Sequence, residues 1–236
     1  MNLLAVDTSG LGCSVAVTTE DRLLAELNLR NNETHSKHLM SIIESLLRIA
    51  GMKPSELDAF VVSRGPGSFT GLRIGLSTVK GLALSLGKPL VGVSSLDALA
   101  QGAVHMGQKN ICAMIDARKD EVFTALYTAD GPLLRKISEE RLVGLADLAR
   151  DIDEETLFVG SGAERYRDLI RERAGQLAVF PDDSFNHVRA EMVASLGFKE
   201  MARSATLDLS DISASYIRKS DAEIHRDIHE GKTAKV

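Results

Sequence analysis

Asn2-Leu3-Leu4-Ala5-Val6-Asp7-Thr8-Ser9-Gly10 is a short apolar run that ends on an acid and then turns; Ile111-Cys112-Ala113-Met114-Ile115-Asp116-Ala117-Arg118 repeats that design in the second half of the chain. Each is followed by segments that alternate with a period of two: Ser14–Thr18 and Arg22–Leu29 after the first, Glu121–Thr128 and, beyond the Asp130-Gly131 turn, Pro132–Ser138 after the second. Such alternation between turn residues marks antiparallel strands. Two matching starts predict two lobes, 1–108 and 109–236, with the boundary near Gly107–Lys109 and the last helices packing back on the first lobe. In the first half the strands give way to a helix over 35–50, a strand over 59–63, a helix reaching Leu86, a strand over 90–93 and a helix over 95–106. In the second half the pattern predicts a helix over 142–151, a strand over 157–159, a helix over 163–173, a short strand ending at Phe180-Pro181 and a helix over 188–203. A capping box at Ser220-Asp221-Ala222-Glu223 opens a short final helix, and Gly231–Val236 is expected to fray. Strands followed by alternating helix and strand give a mixed sheet covered by helices. Duplicated α/β lobes with Asp7 and Asp116 facing a cleft match the actin-like phosphotransferase architecture. Each acid also has a plainer reading as a turn or helix cap at a strand end.

The chain has 236 residues, 44% of them hydrophobic, and a formal net charge of -5. It is long enough for two lobes of about 100 residues and too apolar for disorder. No stretch approaches the ~20 apolar residues of a membrane helix, and the start lacks the basic and long apolar regions of a signal peptide, so a soluble cytoplasmic protein with no membrane association is expected. The two cysteines, Cys13 and Cys112, sit in strand-like apolar settings, where a small buried thiol is the expectation rather than a disulfide or zinc ligand. An acidic balance excludes a surface coated for the nucleic-acid backbone, while leaving room for a local basic patch.

The helix reaching Leu86 carries two apolar stripes. Phe69, Leu72, Leu76, Val79, Ala83 and Leu86 repeat at steps of three and four, and Gly71, Gly75, Thr78 and Leu82 make a second stripe of mostly small residues. A helix apolar on two sides needs two partners. The sheet covers one side; the helix over 35–50 or a second protein chain covers the other, and in the latter case a four-helix arrangement is expected.

Gly65-Pro66-Gly67-Ser68-Phe69-Thr70-Gly71 lies between strand and helix, where a phosphate loop would lie. It lacks the Gly-Lys-Ser/Thr ending of a P-loop, and the next strand ends on Ser94-Ser95 rather than on the acid of a dinucleotide fold. A structural turn and an anion contact both remain open. His35 and His38 share a helix face without a third ligand, His105 is isolated, no His-Glu-x-x-His occurs, and neither Ser68 nor Ser161 centres a Gly-x-Ser-x-Gly elbow. A metallopeptidase or serine hydrolase is therefore not expected. Arg64, Arg73 and Lys80 read as a solvated helix edge or as contacts for an anionic partner.

The run Ser63-Arg64-Gly65-Pro66-Gly67-Ser68-Phe69-Thr70-Gly71-Leu72-Arg73-Ile74-Gly75, with Asp7-Thr8-Ser9 and Cys13-Ser14-Val15-Ala16-Val17, closely resembles the TsaB family, also called YeaZ. The likeness continues through His35-Ser36, Val93-Ser94-Ser95-Leu96, Ile115-Asp116-Ala117-Arg118, Glu121-Val122, Gly160-Ser161-Gly162-Ala163 and Tyr216-Ile217-Arg218, and so spans nearly the whole chain. It implies an actin-like fold of the sugar-kinase and Hsp70 type, with two similar lobes of mixed sheet plus helices. It also implies a noncatalytic scaffold or activator subunit in synthesis of threonylcarbamoyladenosine at adenosine 37 of tRNAs reading ANN codons. The implied main partner is the paralogue TsaD, which carries out the transfer, and the ATPase TsaE joins the pair. The resemblance also implies that the chain pairs with itself when alone and meets tRNA only through the complex.

The paralogue's metal-binding His-x-x-x-His falls on Ser95 and Leu99. Leucine has no donor and a serine hydroxyl is a weak ligand, so no metal site and no stand-alone catalysis are expected. The resemblance further implies docking through the first lobe's two helices, with Leu39, Ile43, Leu46, Gly71, Gly75, Val79 and Leu82 contributing by facing the partner or by letting backbones approach. Positions Asp7, Thr8, Ser9, Asp116, Gly160 and Gly162 mark a vestigial nucleotide cleft. Its turns carry less glycine than actin-like phosphate loops, so the isolated chain is expected to bind nucleotide poorly or not at all, with no intrinsic cofactor and with ATP or ADP entering through the complex. The competing reading is an autonomous actin-like kinase or ATPase using Asp7 or Asp116.

Overall fold

A computed structural model describes residues 1–30, 35–148, 152–203 and 212–218. The expected C-terminal capping box and the expected fraying of the last residues lie outside them. The first sheet is built from β1 (Leu3–Asp7), β2 (Gly12–Thr18), β3 (Leu23–Arg30), β4 (Ala59–Ser63) and β5 (Leu90–Val93), in the order β3-β2-β1-β4-β5. The first three strands are antiparallel, Ala5 standing opposite Ala16, whereas β4 runs parallel to both β1 and β5. Parallel neighbours need a crossover, and α2 (Phe69–Leu86) supplies the one from β4 to β5. Its start is fixed by Ser68, whose hydroxyl accepts from the Gly71 amide, and its end by Gly87, which takes the left-handed conformation with φ 62°. α1 (His35–Ile49) buries Leu39, Ile42, Ile43, Leu46 and Leu47 on one face, the spacing expected of an amphipathic helix. α3 (Ser95–Ala103) opens on the side chain of Ser94, which accepts from the amides of Leu96 and Asp97.

The second sheet repeats the opening meander with β6 (Asn110–Arg118), β7 (Glu121–Asp130) and β8 (Leu133–Lys136), then adds β9 (Arg141–Gly144), β10 (Thr156–Val159) and β11 (Ala178–Val179). Its order is β11-β10-β6-β7-β8, with β9 also paired to β7. The remaining helices are α4 (Leu145–Leu148), α5 (Ser161–Arg165), α6 (Arg167–Ala174) and α7 (Ala190–Arg203).

Two expected helices are corrected. The segment expected to be helical over 142–151 begins instead as a strand, because Leu142 and Val143 find a place opposite Phe123 and Val122 on the half of β7 that β8 leaves free. The helix over 163–173 is two helices meeting at Tyr166, whose φ of -110° breaks the helical run.

Every residue of β1 is buried, because both faces of the first sheet are covered. Alternation sorts them: Leu4 and Val6 face the α1–α2 layer with Val15, Phe60 and Val62, while Leu3 and Ala5 join a core shared with the second sheet. That shared core also holds Val61, Leu96, Leu99, Ile111, Ala113, Tyr127, Val193 and Ala194, so α3 and α7 are packed between the sheets. Gly197 lets α7 lie flush on the first sheet: a Cβ there would sit 2.4 Å from Val61 Cγ2. A third cluster, Cys112, Met114, Phe158 and Ile170, packs the outer face of the second sheet.

Candidate functional site

The turns that end β1 and β6 face a cleft of about 940 Å³ between the lobes, lined by Asp7, Ser9, Asp116, Ser161, Arg165 and Asn186 among others. Both acids are tied into their own lobes. Asp7 is 3% exposed and accepts from the Ser9 hydroxyl at 2.7 Å. Asp116 accepts from Arg165 Nη1 at 3.1 Å, from the Tyr166 hydroxyl at 3.2 Å and from the Arg118 amide at 2.9 Å. Its own amide donates to Ser161 Oγ. Burial and then the Asp116 charge push the Tyr166 phenol above its ordinary pKa, so the phenol stays protonated as a donor.

The other expected cleft residues are not in the lining. Thr8 is 0% exposed and donates its hydroxyl to the Gly71 carbonyl at 2.8 Å. Gly160 and Gly162 serve close packing, since a Cβ at Gly160 would lie 2.1 Å from the Met114 carbonyl oxygen and one at Gly162 3.0 Å from Met114 Cβ. The Gly160 amide donates to Asn186 Oδ1 at 2.9 Å. Asn186 and His187 line the cleft, but Asn186 Nδ2 and His187 Nδ1 are themselves buried and have no hydrogen-bond partner among the described residues. The glycine-rich loop is a structural turn: the Ser68 amide donates to the Ser9 carbonyl, the Gly65 carbonyl accepts from the Ser95 amide, and a Cβ at Gly67 would lie 2.4 Å from Ser9 O. Of its amides, those of Ser68 and Gly71 are engaged by the protein itself.

Ser95 and Leu99 are 0% and 3% exposed on α3. Leu99 packs on Gly160, and the Ser95 hydroxyl has no partner among the described residues. No group of three or more His, Cys, Asp or Glu placed to hold a metal occurs among them either. Cys13 lines the cleft, but burial and then Asp7 push its thiol up to about 12. Burial likewise raises Cys112, to about 11, so both thiols are inert neutral groups at pH 7.

The residues expected to form a docking surface lie inside the lobe. Leu39, Ile43, Leu46 and Val79 are at most 3% exposed and belong to the core between the helices and the sheet. Gly71 and Gly75 are buried, and a Cβ at Gly75 would fall 2.2 Å from Thr8 Oγ1. Gly75 therefore admits the end of β1 and not a partner's backbone. Leu82 alone of that set is partly open. The helix pair instead presents Met40, 51% exposed, Ile49, 69%, and Leu84, 74%, while Gly81 has open space around it.

A protein-family model described as TsaD, tRNA N6-adenosine threonylcarbamoyltransferase, matches residues 28–226. The tRNA threonylcarbamoyladenosine biosynthesis protein TsaB of Bacillus subtilis is 33% identical over 226 residues, which cover 94% of this chain and 96% of that one. The chain belongs to the TsaB family. TsaB of Escherichia coli is 30% identical over 94% of the chain and 96% of its own length. Among solved structures, YeaZ from Pseudomonas aeruginosa is similar with a TM-score of 0.79 and 34% identity, covering 91% of this chain and 99% of that one. Component A of the Acidaminococcus fermentans (R)-2-hydroxyglutaryl-CoA dehydratase, at 12% identity and a TM-score of 0.50, shares the fold, covering 86% of the chain and 99% of its own. The two mixed sheets with their helices, and the fold shared with that component, agree with the actin-like fold expected from the repeated strand–acid openings.

Sequence reasoning missed the groups that bind up Asp116, namely Ser161, Arg165 and Tyr166, together with Asn186. They come to the cleft from the two ends of α5, Ser161 at its start and Arg165 and Tyr166 at its end, and from the loop before α7, and no local spacing links them to Asp116. No helix among the described residues is long and apolar enough to cross a membrane.

Proposed function

We propose that this chain is the noncatalytic scaffold or activator subunit that works with a TsaD transferase and the ATPase TsaE in making threonylcarbamoyladenosine on tRNA, in the cytoplasm. The observation that carries the reading is the buried pair Ser95 and Leu99, which offers no metal ligand where the resemblance places the transferase's histidines, in a chain similar end to end to named TsaB proteins. The engagement of Asp7 and Asp116 by neighbours of their own lobes supports it against an autonomous kinase, which needs an acid free to act on substrate. Docking is assigned to the exposed side of α1 and α2, around Met40 and Leu84, which serves TsaD and, in its absence, a second copy of the chain. Contact with tRNA runs through the complex.

Reconstitution with TsaC, TsaD, TsaE, threonine, bicarbonate, ATP and tRNA tests this directly. Modified tRNA is expected only when the chain is present, and product formed equally well without it sinks the reading. ATP hydrolysis by the chain alone, lost in Asp116→Asn, would favour the kinase instead.

A further inference from the structure

The segment Ile212–Arg218 crosses from one lobe to the other on the open side of the cleft. On the first lobe, Ile212 and Ala214 pack against the core beneath α1 and α2, and the Ser215 amide donates to the Arg64 carbonyl at 2.7 Å. The Tyr216 ring lies 4.7 Å from that of Phe69, and its hydroxyl accepts from Arg73 Nε at 3.2 Å, while the Arg73 guanidinium stacks 3.8 Å over Phe69. On the second lobe, Arg218 donates to the Ala117 carbonyl at 3.3 Å and pairs with Glu121 at 3.1 Å. Ser215, Tyr216, Ile217 and Arg218 all line the cleft. The lobes are also joined by the apolar core around α3 and α7, by the Asp97–Lys136 and Ser94–Glu140 contacts, and by an Arg30–Glu164 ion pair at 3.8 Å between two cleft-lining residues. The buried core is the hinge, and the strap is one of the partly exposed connections that bridge the lobes.

We infer that Ile212–Arg218 is a releasable latch that sets how far the cleft opens, with Arg218–Glu121 as its detachable end. The two anchors differ in kind. Several apolar and aromatic contacts and a backbone hydrogen bond fasten the strap to the first lobe, whereas a partly exposed ion pair, the bond to Ala117 and the packing of Ile217 against the shared core fasten its other end, with side-chain exposures of 21% and 34% for Arg218 and Glu121. Opening at the second anchor frees one apolar side chain, Ile217, against several on the first lobe, so it belongs among the low-energy, sub-global motions. Arg73, on the exposed side of α2, is shared between the latch and the helix face, which places the cleft and that face in mechanical contact. The inference stands on these contacts alone and holds whether or not α2 docks a partner.

Spin labels at Leu11→Cys and Glu172→Cys, both exposed and on opposite lobes, report the opening by pulsed dipolar spectroscopy, since the two native thiols are buried. Arg218→Ala is expected to lengthen and broaden the distance distribution. Glu121→Gln is expected to act in the same direction, and the double variant to add little to the larger single effect. A distribution unchanged in both variants overturns the latch. Hydrogen exchange of the full unlabelled chain is the second measurement. The Ser215 amide, which bonds the Arg64 carbonyl on the anchor that stays fastened, is expected to keep its exchange rate in Arg218→Ala. Markedly faster exchange at Ser215 in that variant would put the loose end on the first lobe and overturn Arg218–Glu121 as the detachable one.

Discussion

Gly75 lies against Thr8 so closely that a Cβ on the glycine would sit 2.2 Å from the threonine hydroxyl oxygen, which itself donates to the Gly71 carbonyl 2.8 Å away. The contact joins α2 to the end of β1, directly behind Asp7, and both partners are buried. Neither backbone has room to move without disturbing the cleft turn. Gly75→Ala is therefore expected to destabilise the chain by about 1–3 kcal/mol, the range for overpacking a filled core, measured by urea unfolding. Gly75→Leu is expected to yield unfolded or aggregated protein, so it does not separate pairing from folding.

The polar tie between α3 and the second sheet gives a second prediction. Asp97 accepts from the Tyr127 hydroxyl at 2.8 Å and pairs with Lys136 at 2.6 Å, and Lys136 also reaches Glu140, which accepts from the Ser94 hydroxyl. Tyr127 is 1% exposed, and burial followed by the Asp97 charge raises its pKa. Asp97→Ala leaves that hydroxyl buried without its acceptor and should cost about 1–3 kcal/mol. Adding Tyr127→Phe removes the orphaned group, so the double variant should be more stable than Asp97→Ala alone. Equal unfolding midpoints for the two would show that the hydroxyl finds another partner.

Acid sensitivity follows from His187. Burial, then the charges of Arg30 and Arg189, lower its pKa in the folded chain. Above the ordinary value of about 6.5 both states are neutral and the group contributes nothing to the pH dependence. Below it the unfolded chain takes up a proton that the folded chain resists, so stability falls as the pH drops from about 6.5 toward the lowered folded value and then levels off. Thermal midpoints of the parent and of His187→Gln between pH 7.5 and pH 5 measure this, and the variant should show the shallower loss.

The two-lobe plan was legible because it repeats: an apolar strand, an acid, a turn and an alternating partner occur twice, and local patterns of this kind need no knowledge of the rest of the chain. β9 was not legible, because Leu142 and Val143 become a strand only by finding the free part of β7 some twenty residues earlier in sequence. The break at Tyr166 is equally tertiary, since its hydroxyl reaches Asp116 on another strand. Periodicity finds the faces a helix buries, and on α1 and α2 those faces, with Leu39, Ile43, Leu46 and Val79, meet the lobe's own sheet, whereas an exposed Met40 or Leu84 is a lone apolar residue on a polar side and gives no pattern to read. Tyr216-Ile217-Arg218 stood out only as part of a family likeness, because a strap of irregular chain has no periodicity to read.

Core and surface positions on the same two helices are expected to respond oppositely. Leu39 is 1% exposed and packs among Val6, Val15 and Phe60 in the same cluster, so Leu39→Ala should lower stability by about 2–5 kcal/mol, the loss from transfer and the cavity together. Leu84, 74% exposed, makes little contact within the lobe, and Leu84→Glu should leave the unfolding free energy within about 0.5 kcal/mol of the parent. A charge at an apolar docking position must be desolvated or turned outward, so the same change should weaken self-pairing and co-elution with TsaD by roughly tenfold or more, the equivalent of about 1.4 kcal/mol. Met40→Glu should act in the same direction from the neighbouring helix. Analytical ultracentrifugation and size-exclusion binding at graded concentrations read the pairing, and chemical unfolding reads the stability. If Leu84→Glu and Met40→Glu both pair as tightly as the parent, docking on the exposed side of α1 and α2 is wrong and the partner surface lies elsewhere on the chain.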